Sequence, residues 1–543
     1  MSVGGMLGGI FNGLIAPVVF QWGVIEFGIA IFAACMLRPQ LAETGWLDDW
    51  VGNLMEGPSA APAHAPRSKG QPRPAHPVAH HTGASASLSQ SLDYILPVVV
   101  LVITGALTFM FGTPRSTGRG AQEMAMFLGY GIPLILCCFF LNRPMRFGLA
   151  VAGVMLIHWF NFDMASAGTK YQSRSYFGYI TIREGSSKFT AEDGSTPELT
   201  YRQLTHGHIN HGLNFLRPER KKDWGNPSKD FSRLATTYYH RLGPAGRVME
   251  MTKFNPFPGP ANTYWSDARM PCVQVGQAVA ALGVGTLPVG NLVGLWCEPA
   301  FATVGLGTGT MAGYGRPYQH VHFYEIDNQI LRLSLPEDGS EPWFNYLSQA
   351  RERGSEVQVL MGDARLRMDL PYRNFAKAAR NDDGSALPAG GPENFYHMMV
   401  VDAFSSDAIP AHLITAEAID MYFKHLVETG ILCVHTSNRF VELPKVVAAV
   451  ANQKGFAYYR GHDQADDRGT GHYTSEWVMV ARKPEYLTEM YNKIPDNYEE
   501  NFAQKHPKAT LEPYWDNQVR TGPRYLWTDD YTNLWAVLRQ RGN

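Results

Sequence analysis

The stretch from Ala300 to Asp327, AFATVGLGTGTMAGYGRPYQHVHFYEID, restricts this chain more than any other. It reads as strand, glycine turn, helix and second strand. Phe301 to Val304 is a short apolar run with β-branched members, suited to a buried parallel strand. Gly305, Gly307 and Gly309 follow at once. Glycine tolerates positive φ and lets backbone approach a ligand without a Cβ in the way. A helix expected from near Thr310 points its free N–H groups at the same pocket. The second strand, Val321 to Tyr324, ends in Glu325, twenty residues after Gly305. That spacing puts a carboxylate at the neighbouring strand tip, where it can accept both hydroxyls of a ribose. A glycine turn in some other α/β domain is the plainer alternative.

The rest of the sheet can be followed along the chain. Glu356 to Met361 is a third strand, ending in Gly362, Asp363 and Ala364. Asp363 is placed to accept from an adenine amine or to cap the next helix. Phe395 to Val401 is a fourth strand, running into DAFSSDAIPAHLIT, Asp402 to Thr415. Ala416 to Glu428 reads as an amphipathic helix, Ile431 to His435 as the fifth strand, Phe440 to Gln453 as a helix and Trp477 to Val480 as a late strand. Asp402 and Asp407 fall at the carboxyl end of the sheet, the side on which open α/β sheets bind ligands. Two acids there suit a cationic substrate, one orienting an ammonium while the other takes a proton from the attacking amine. Asp407 as a turn cap before Ile409-Pro410 is the structural alternative.

Ahead of this fold, Tyr171 to Glu184 alternates like a strand, and Glu198 to Phe215 continues a small β-rich domain. His206, His208 and His211 lack a carboxylate or cysteine to complete an obvious metal site, so they read as loop-bonding or pocket-lining residues. Tyr238 and Tyr239 are either packing aromatics or pocket walls. The six cysteines show neither paired nor zinc spacing, and a net charge of −2 leaves no nucleic-acid footprint.

The first 160 residues differ in kind. Met6–Leu37, Ile95–Gly112, Met124–Leu141 and Phe147–Phe160 are apolar runs, read as about four transmembrane helices in a lipid bilayer. The first contains Pro17, where a tilt or break is expected, and Glu26, which faces another helix or sits at an interface. Arginines flank both ends of the spans, so charge does not orient them. Residues 57 to 90 are rich in Pro, Ala, His and Ser and read as a linker. The expected units are 1–40 (membrane), 41–92 (linker), 93–165 (three membrane helices), 166–290 (small β-rich domain and connecting helix), 291–500 (nucleotide fold) and 501–543 (tail).

RSYFGYITIRE, ELTYRQLTHG, TTYYHRLGPAG, VGLGTGTMAGYG, FYEID, GDARLRM, VVDAFSSDAIPAHLIT and WTDDYTNLWAVLR, with the N-terminal GGIFNGLIAPVVFQWGVIEFGIAIFAACMLRP, resemble the spermidine synthase (polyamine aminopropyltransferase) family, and within it a membrane-fused bacterial branch. The resemblance implies an α/β, Rossmann-like S-adenosylmethionine-dependent transferase fold behind a small β-rich N-terminal domain. It implies that Gly305, Gly307, Thr308 and Gly309 cradle decarboxylated S-adenosylmethionine or S-adenosylmethionine as co-substrate. Glu325 would hold its ribose, and Asp363 with Ala364 its adenine. Asp402 would deprotonate a small amine or polyamine, with Asp407 as the second acid. Tyr201 falls on the family's E-x-x-Y tyrosine, with Arg202 where His or Gln is usual. No metal and no nucleic acid are implied. The ligand places the large domain in the cytoplasm, on a bacterial inner membrane. A homo-oligomer or membrane-protein partner stays open.

One departure bears on chemistry. The family's glycine turn carries an Asp where this chain has Thr308, and that Asp repels the carboxylate of intact S-adenosylmethionine. A methyltransferase using the intact molecule is therefore the enzymatic rival. A non-catalytic membrane-bound scaffold is the rival from another class. In the tail, Asp529 and Asp530 either add negative charge over the amine site or cap a helix from Thr532 to Arg539.

Overall fold

The computed structural model describes residues 2–20, 25–39, 83–111, 124–165, 168–189, 196–207, 209–223, 230–251, 299–316, 319–370, 391–403, 410–464, 471–491 and 514–539. They divide into two compact units, Val19–Ala167 and Gly168–Asn543 with Met1–Val18.

In the first unit, Ser89–Phe111, within the helix Gly83–Phe111, is the one described helix long and apolar enough to cross a membrane. The apolar helices Gly4–Val19, Ile25–Met36 and Met124–Cys138 are shorter, and the expected span Phe147–Phe160 lies inside the helix Pro144–Ala165. The Gly83 start puts the end of the expected linker inside a helix. Small residues bring these helices close: a Cβ on Gly148 would lie 2.7 Å from Met36 Sδ, and one on Gly153 would lie 3.2 Å from Leu101 Cβ. Asp93 accepts from Arg143 (2.5 Å) and Arg146 (3.1 Å). Glu26 is buried, while Phe109, Trp159 and Phe160 face outward.

The break expected at Pro17 takes another form. A π-helical turn, Phe11–Ile15, precedes it and the helix carries on through Ala16–Val19. A second π turn, Phe127–Gly131, stands in the same relation to Pro133. The proline ring collides with the carbonyl four residues back in a regular α-helix, and a wider turn relieves that collision without stopping the helix.

The other unit holds two sheets. The small one is antiparallel in the order β1 (Thr169–Ser175), β2 (Gly178–Lys188), β3 (Glu198–His206), β4 (Ile209–Phe215). The large one comprises β5 (Phe301–Val304), β6 (His320–Glu325), β7 (Glu356–Met361), β8 (Tyr396–Val401), β9 (Leu426–His435), β10 (Ala457–Asp463), β11 (Ser475–Ala481) and β12 (Tyr514–Asp516). Its order is β12-β10-β11-β9-β8-β5-β6-β7. The five strands β9-β8-β5-β6-β7 are parallel, and β11, β10 and β12 continue antiparallel.

The first strand is central and its neighbours are β6 and β8, so the switch point lies at the carboxyl ends of β5 and β8. Side chains alternate across the sheet: Phe301 joins a core with Phe323, Met398 and Trp477, while Ala302 and Val304 join Tyr324, Met399 and Val434 on the other face. Both faces are apolar, as a parallel sheet covered by helices requires. The helix expected over Cys272–Leu282 lies outside the described residues.

Candidate active site

Every expected ligand residue on the nucleotide fold that the structure describes sits at the carboxyl edge of the parallel strands. Gly305, Gly307 and Gly309 all have positive φ, at 99°, 54° and 79°. The turn is pinned on both sides. Gly305 N–H donates to Tyr324 O of β6 (2.8 Å), and Asp402 N–H donates to Val304 O (2.9 Å). Gly305 is required for closeness as well as for φ, because a Cβ there would lie 2.3 Å from Asp402 O. The turn runs into a five-residue 3₁₀ helix, Thr310–Tyr314. The carbonyls of Ala312, within it, and Gly315, just past it, accept from Arg353 Nη2 at 3.0 and 3.2 Å.

Glu325 is buried and closes the turn from below. One oxygen accepts from Leu306 N–H and the other from Asp327 N–H, both at 2.8 Å. Burial pushes its carboxyl up to about 7, against the opposing pull of those N–H groups. Thr308 is buried too, and its hydroxyl shares a 2.7 Å hydrogen bond with that of Thr310. The small sheet closes over it: a Cβ on Gly212 of β4 would lie 2.2 Å from Thr308 Oγ1.

Asp363 takes the capping role. One oxygen accepts from Arg365 N–H and Leu366 N–H at 3.0 and 3.1 Å, opening the helix Ala364–Met368. The other is paired with His412 Nε2 at 3.0 Å. Asp529 reaches this corner: Arg365 donates to both its oxygens at 2.7 Å, and Thr415 donates at 2.8 Å. The Arg365 hydrogen bonds hold its carboxyl down at about 2. The short helix near the C-terminus, Leu534–Val537, is capped by Asn533, which corrects the expectation for Asp529 and Asp530.

Asp402 stands at the tip of β8 with both oxygens in use. Oδ1 accepts from His435 Nδ1 (2.7 Å), at the tip of β9, and Oδ2 accepts from the Tyr239 hydroxyl. Burial works to raise the Asp402 carboxyl, but the His435 imidazole and the Tyr239 hydroxyl outweigh it and hold the group below the usual range. Tyr238 stacks on His435 at 4.5 Å and 13°, and Trp477 lies 4.6 Å away on the same ring. Burial and Asp402 raise both tyrosines well above the ordinary phenol value, so they stay neutral donors. Burial likewise depresses His211 on β4 to about 4.

Tyr201 is not part of this group. Its place is on β3 with Phe189, Leu213, Phe215 and Phe231, and its hydroxyl lies against Gly185. The tyrosine that the structure brings to the acid is Tyr239, from TTYYHR, held by Tyr314 donating to its carbonyl (2.5 Å). Arg202 turns outward, with its guanidinium 4.9 Å over the Trp343 ring and bonded to Glu184. His435 was not singled out in the sequence; the signal for it is its position as the last residue of the fifth strand, next to the strand that ends in Asp402. Asp407 and His208 lie outside the described residues. Among the described residues no group of three or more His, Cys, Asp or Glu is disposed to hold a metal ion.

No family model matches the chain, and no curated protein matches it. Among solved structures it is similar to a probable spermidine synthase from Corynebacterium glutamicum, with 10% identity, 64% of this chain and 90% of that chain covered, and a TM-score of 0.30. It is similar to the spermidine synthase of Thermotoga maritima, with 12% identity, 65% and 82% coverage and a TM-score of 0.29. A third is a spermidine synthase in complex with the transition-state analogue AdoDATO, with 11% identity, 65% and 82% coverage and a TM-score of 0.28.

Proposed function

We propose that the chain is a membrane-anchored, spermidine synthase-like aminopropyltransferase, of the membrane-fused bacterial branch. It moves an aminopropyl group from decarboxylated S-adenosylmethionine to a small amine. The observation that carries this reading is the meeting of the glycine turn and Asp402: the two backbones touch at Gly305, and a buried acid with two ordered partners stands beside the donor site.

In this reading Gly305, Gly307, Thr308 and Gly309 hold the adenosyl donor. Glu325 keeps a lone pair on each oxygen for the ribose hydroxyls. The adenine amine exchanges with His412 at Asp363, beside Ala364. The sulfonium is already a good leaving group, so the protein's part is alignment plus removal of a proton from the amine. Asp402 anchors that second task, with Tyr239 in the position expected for Tyr201 and with Asp407 as the second acid. The apolar helix Ser89–Phe111 supplies the anchor, in a bacterial inner membrane with the large domain on the cytoplasmic side.

Methyl transfer from intact S-adenosylmethionine is the second reading, and neutral, buried Thr308 favours it. Calorimetric titration of the detergent-purified chain with decarboxylated S-adenosylmethionine, the intact molecule and methylthioadenosine tests both. Preference for the decarboxylated form supports aminopropyl transfer. Preference for the intact form moves the assignment to methyl transfer, and binding of none supports a scaffold. Thr308→Asp is expected to raise selectivity for the decarboxylated form by roughly tenfold, the value of ~1.4 kcal/mol of charge discrimination. An unaltered affinity ratio sinks that role for position 308.

A further inference from the structure

Asp402 is badly placed to be the final proton acceptor. Both of its oxygens already receive hydrogen bonds, and three of the four groups in its chain have little exposure: Tyr239 and His435 are buried, and the Asp402 side chain is 6% exposed. The fourth is half-buried Ser437, two residues past His435. Its Oγ lies 2.9 Å from His435 Nε2.

The protons along this chain can be assigned. An ionised Asp402 accepts, so His435 Nδ1 carries a hydrogen and Nε2 offers its lone pair. Ser437 therefore donates to Nε2. Its Oγ also accepts from Glu476 N–H at 2.8 Å, which leaves it one further lone pair.

We infer that the amine's proton enters at Ser437 Oγ and comes to rest on His435 Nε2, with Asp402 staying ionised as the partner of the imidazolium. This rests on the aminopropyl-transfer reading and specifies its proton path. An ammonium N–H bond breaks, its proton passes to Ser437 Oγ, and the Ser437 proton passes to Nε2. The freed nitrogen lone pair forms the new N–C bond to the methylene beside the sulfonium. The C–S bonding pair leaves on sulfur as the neutral thioether. Ser437 is the residue that touches the amine, and Asp402 and Tyr239 position the imidazole.

The groups that face His435 are Asp402 at the β8 tip, Tyr238 and Tyr239 from the segment before the nucleotide fold, His211 on β4, and Trp477 and Glu476 on β11. Tyr238, Tyr239 and His211 are neutral near pH 7, and the Glu476 carboxylate is taken by Arg539 at 3.1 Å. Asp402 is thus the charge that meets the imidazolium directly.

The test is the pH–rate profile of the full chain in detergent, with decarboxylated S-adenosylmethionine and 1,4-diaminobutane. Ser437→Ala and His435→Gln are each expected to lower kcat about 10²-fold near pH 7.5. KM for the donor should not change, and the deficit should close at alkaline pH, where the amine is already free base. Ser437→Thr should restore the wild-type profile. A Ser437→Ala profile that superimposes on wild type overturns the relay while leaving aminopropyl transfer intact. Should wild type show no transfer, the function reading fails by itself, and imidazole ¹⁵N NMR of the full chain then decides the relay. The His435 Nε2 resonance and its titration are expected to move on Ser437→Ala, and a His435 signal indifferent to that change overturns it.

Discussion

Glu325 and Asp402 occupy matching places, buried acids at the tips of β6 and β8 on either side of the central strand, yet they are tuned in opposite directions. Glu325 receives only backbone N–H groups, and burial wins, bringing its carboxyl up to about 7. Asp402 receives an imidazole and a phenol, and they hold it below the usual range despite similar burial. The comparison teaches how one sheet edge serves two tasks. Where only backbone N–H groups meet the acid, burial outweighs them and raises it, whereas a partner able to carry positive charge keeps an acid ionised.

Asp402→Asn is the strongest way to break this contrast. It keeps the shape and removes the charge, and turnover is expected to fall about 10²–10⁴-fold with donor affinity retained. Equal losses in both would instead make Asp402 part of the donor site.

Glu325 gives the next largest effect. In the proposed function the ribose hydroxyls need the carboxylate, so donor affinity should fall about tenfold per pH unit below pH 7, with proton release on binding. Glu325→Gln should flatten that dependence in calorimetry. Stability of the ligand-free protein should run the other way. The folded value is raised, so the Glu325 contribution is complete below the unfolded value of 4.5 and is lost as pH rises through about 7. The Asp402 contribution, with a lowered folded value, is present above the unfolded 3.8 and is lost on acidification. The difference in thermal unfolding between wild type and Glu325→Gln, and between wild type and Asp402→Asn, across pH 3 to 8 should show these opposite slopes.

A smaller effect separates the two tyrosines. Tyr239→Phe should cost roughly tenfold in turnover, the order of one hydrogen bond to a charged group, about 1.5 kcal/mol. Tyr201→Phe should leave turnover unchanged; a reversed order would restore Tyr201 to the acid. Smallest is Asp529→Asn, which opens the partly exposed Arg365 pair and should shift unfolding by under about 1 kcal/mol, with amine affinity unaltered.

The glycine turn and its strand-tip acid were legible in the sequence because they are local. Strand, glycine turn and strand-tip acid lie within 300–327, and the backbone conformation that glycine permits is written in residue type. The acceptor half is assembled from afar. Tyr239 and His435 come from either side of Asp402, and their meeting depends on how the pre-domain segment packs on the sheet. Tyr201 and Tyr239 look alike as letters; what separates them is that Tyr201 lies on a strand facing an apolar cluster, while Tyr239 lies in a turn held by Tyr314. In the N-terminal apolar helices, the runs were readable from hydropathy. The π turns were not, because they answer to a proline collision in three dimensions.

The contact between Gly212 and Thr308 has a consequence for how such a site can diverge. In the proposed function, position 308 sets the charge beside the donor's terminal amine, but its space is shared with a strand of the other sheet, where only a hydrogen fits. Position 212 is not free to grow while Thr308 stays. A larger residue at 212 demands a smaller one at 308, and an acid at 308 must find room and solvation that Gly212 alone can grant. Donor preference is therefore a property of a pair from two separate sheets. Swapping it by drift needs an ordered path, with residue 212 kept small before, during and after any change at 308.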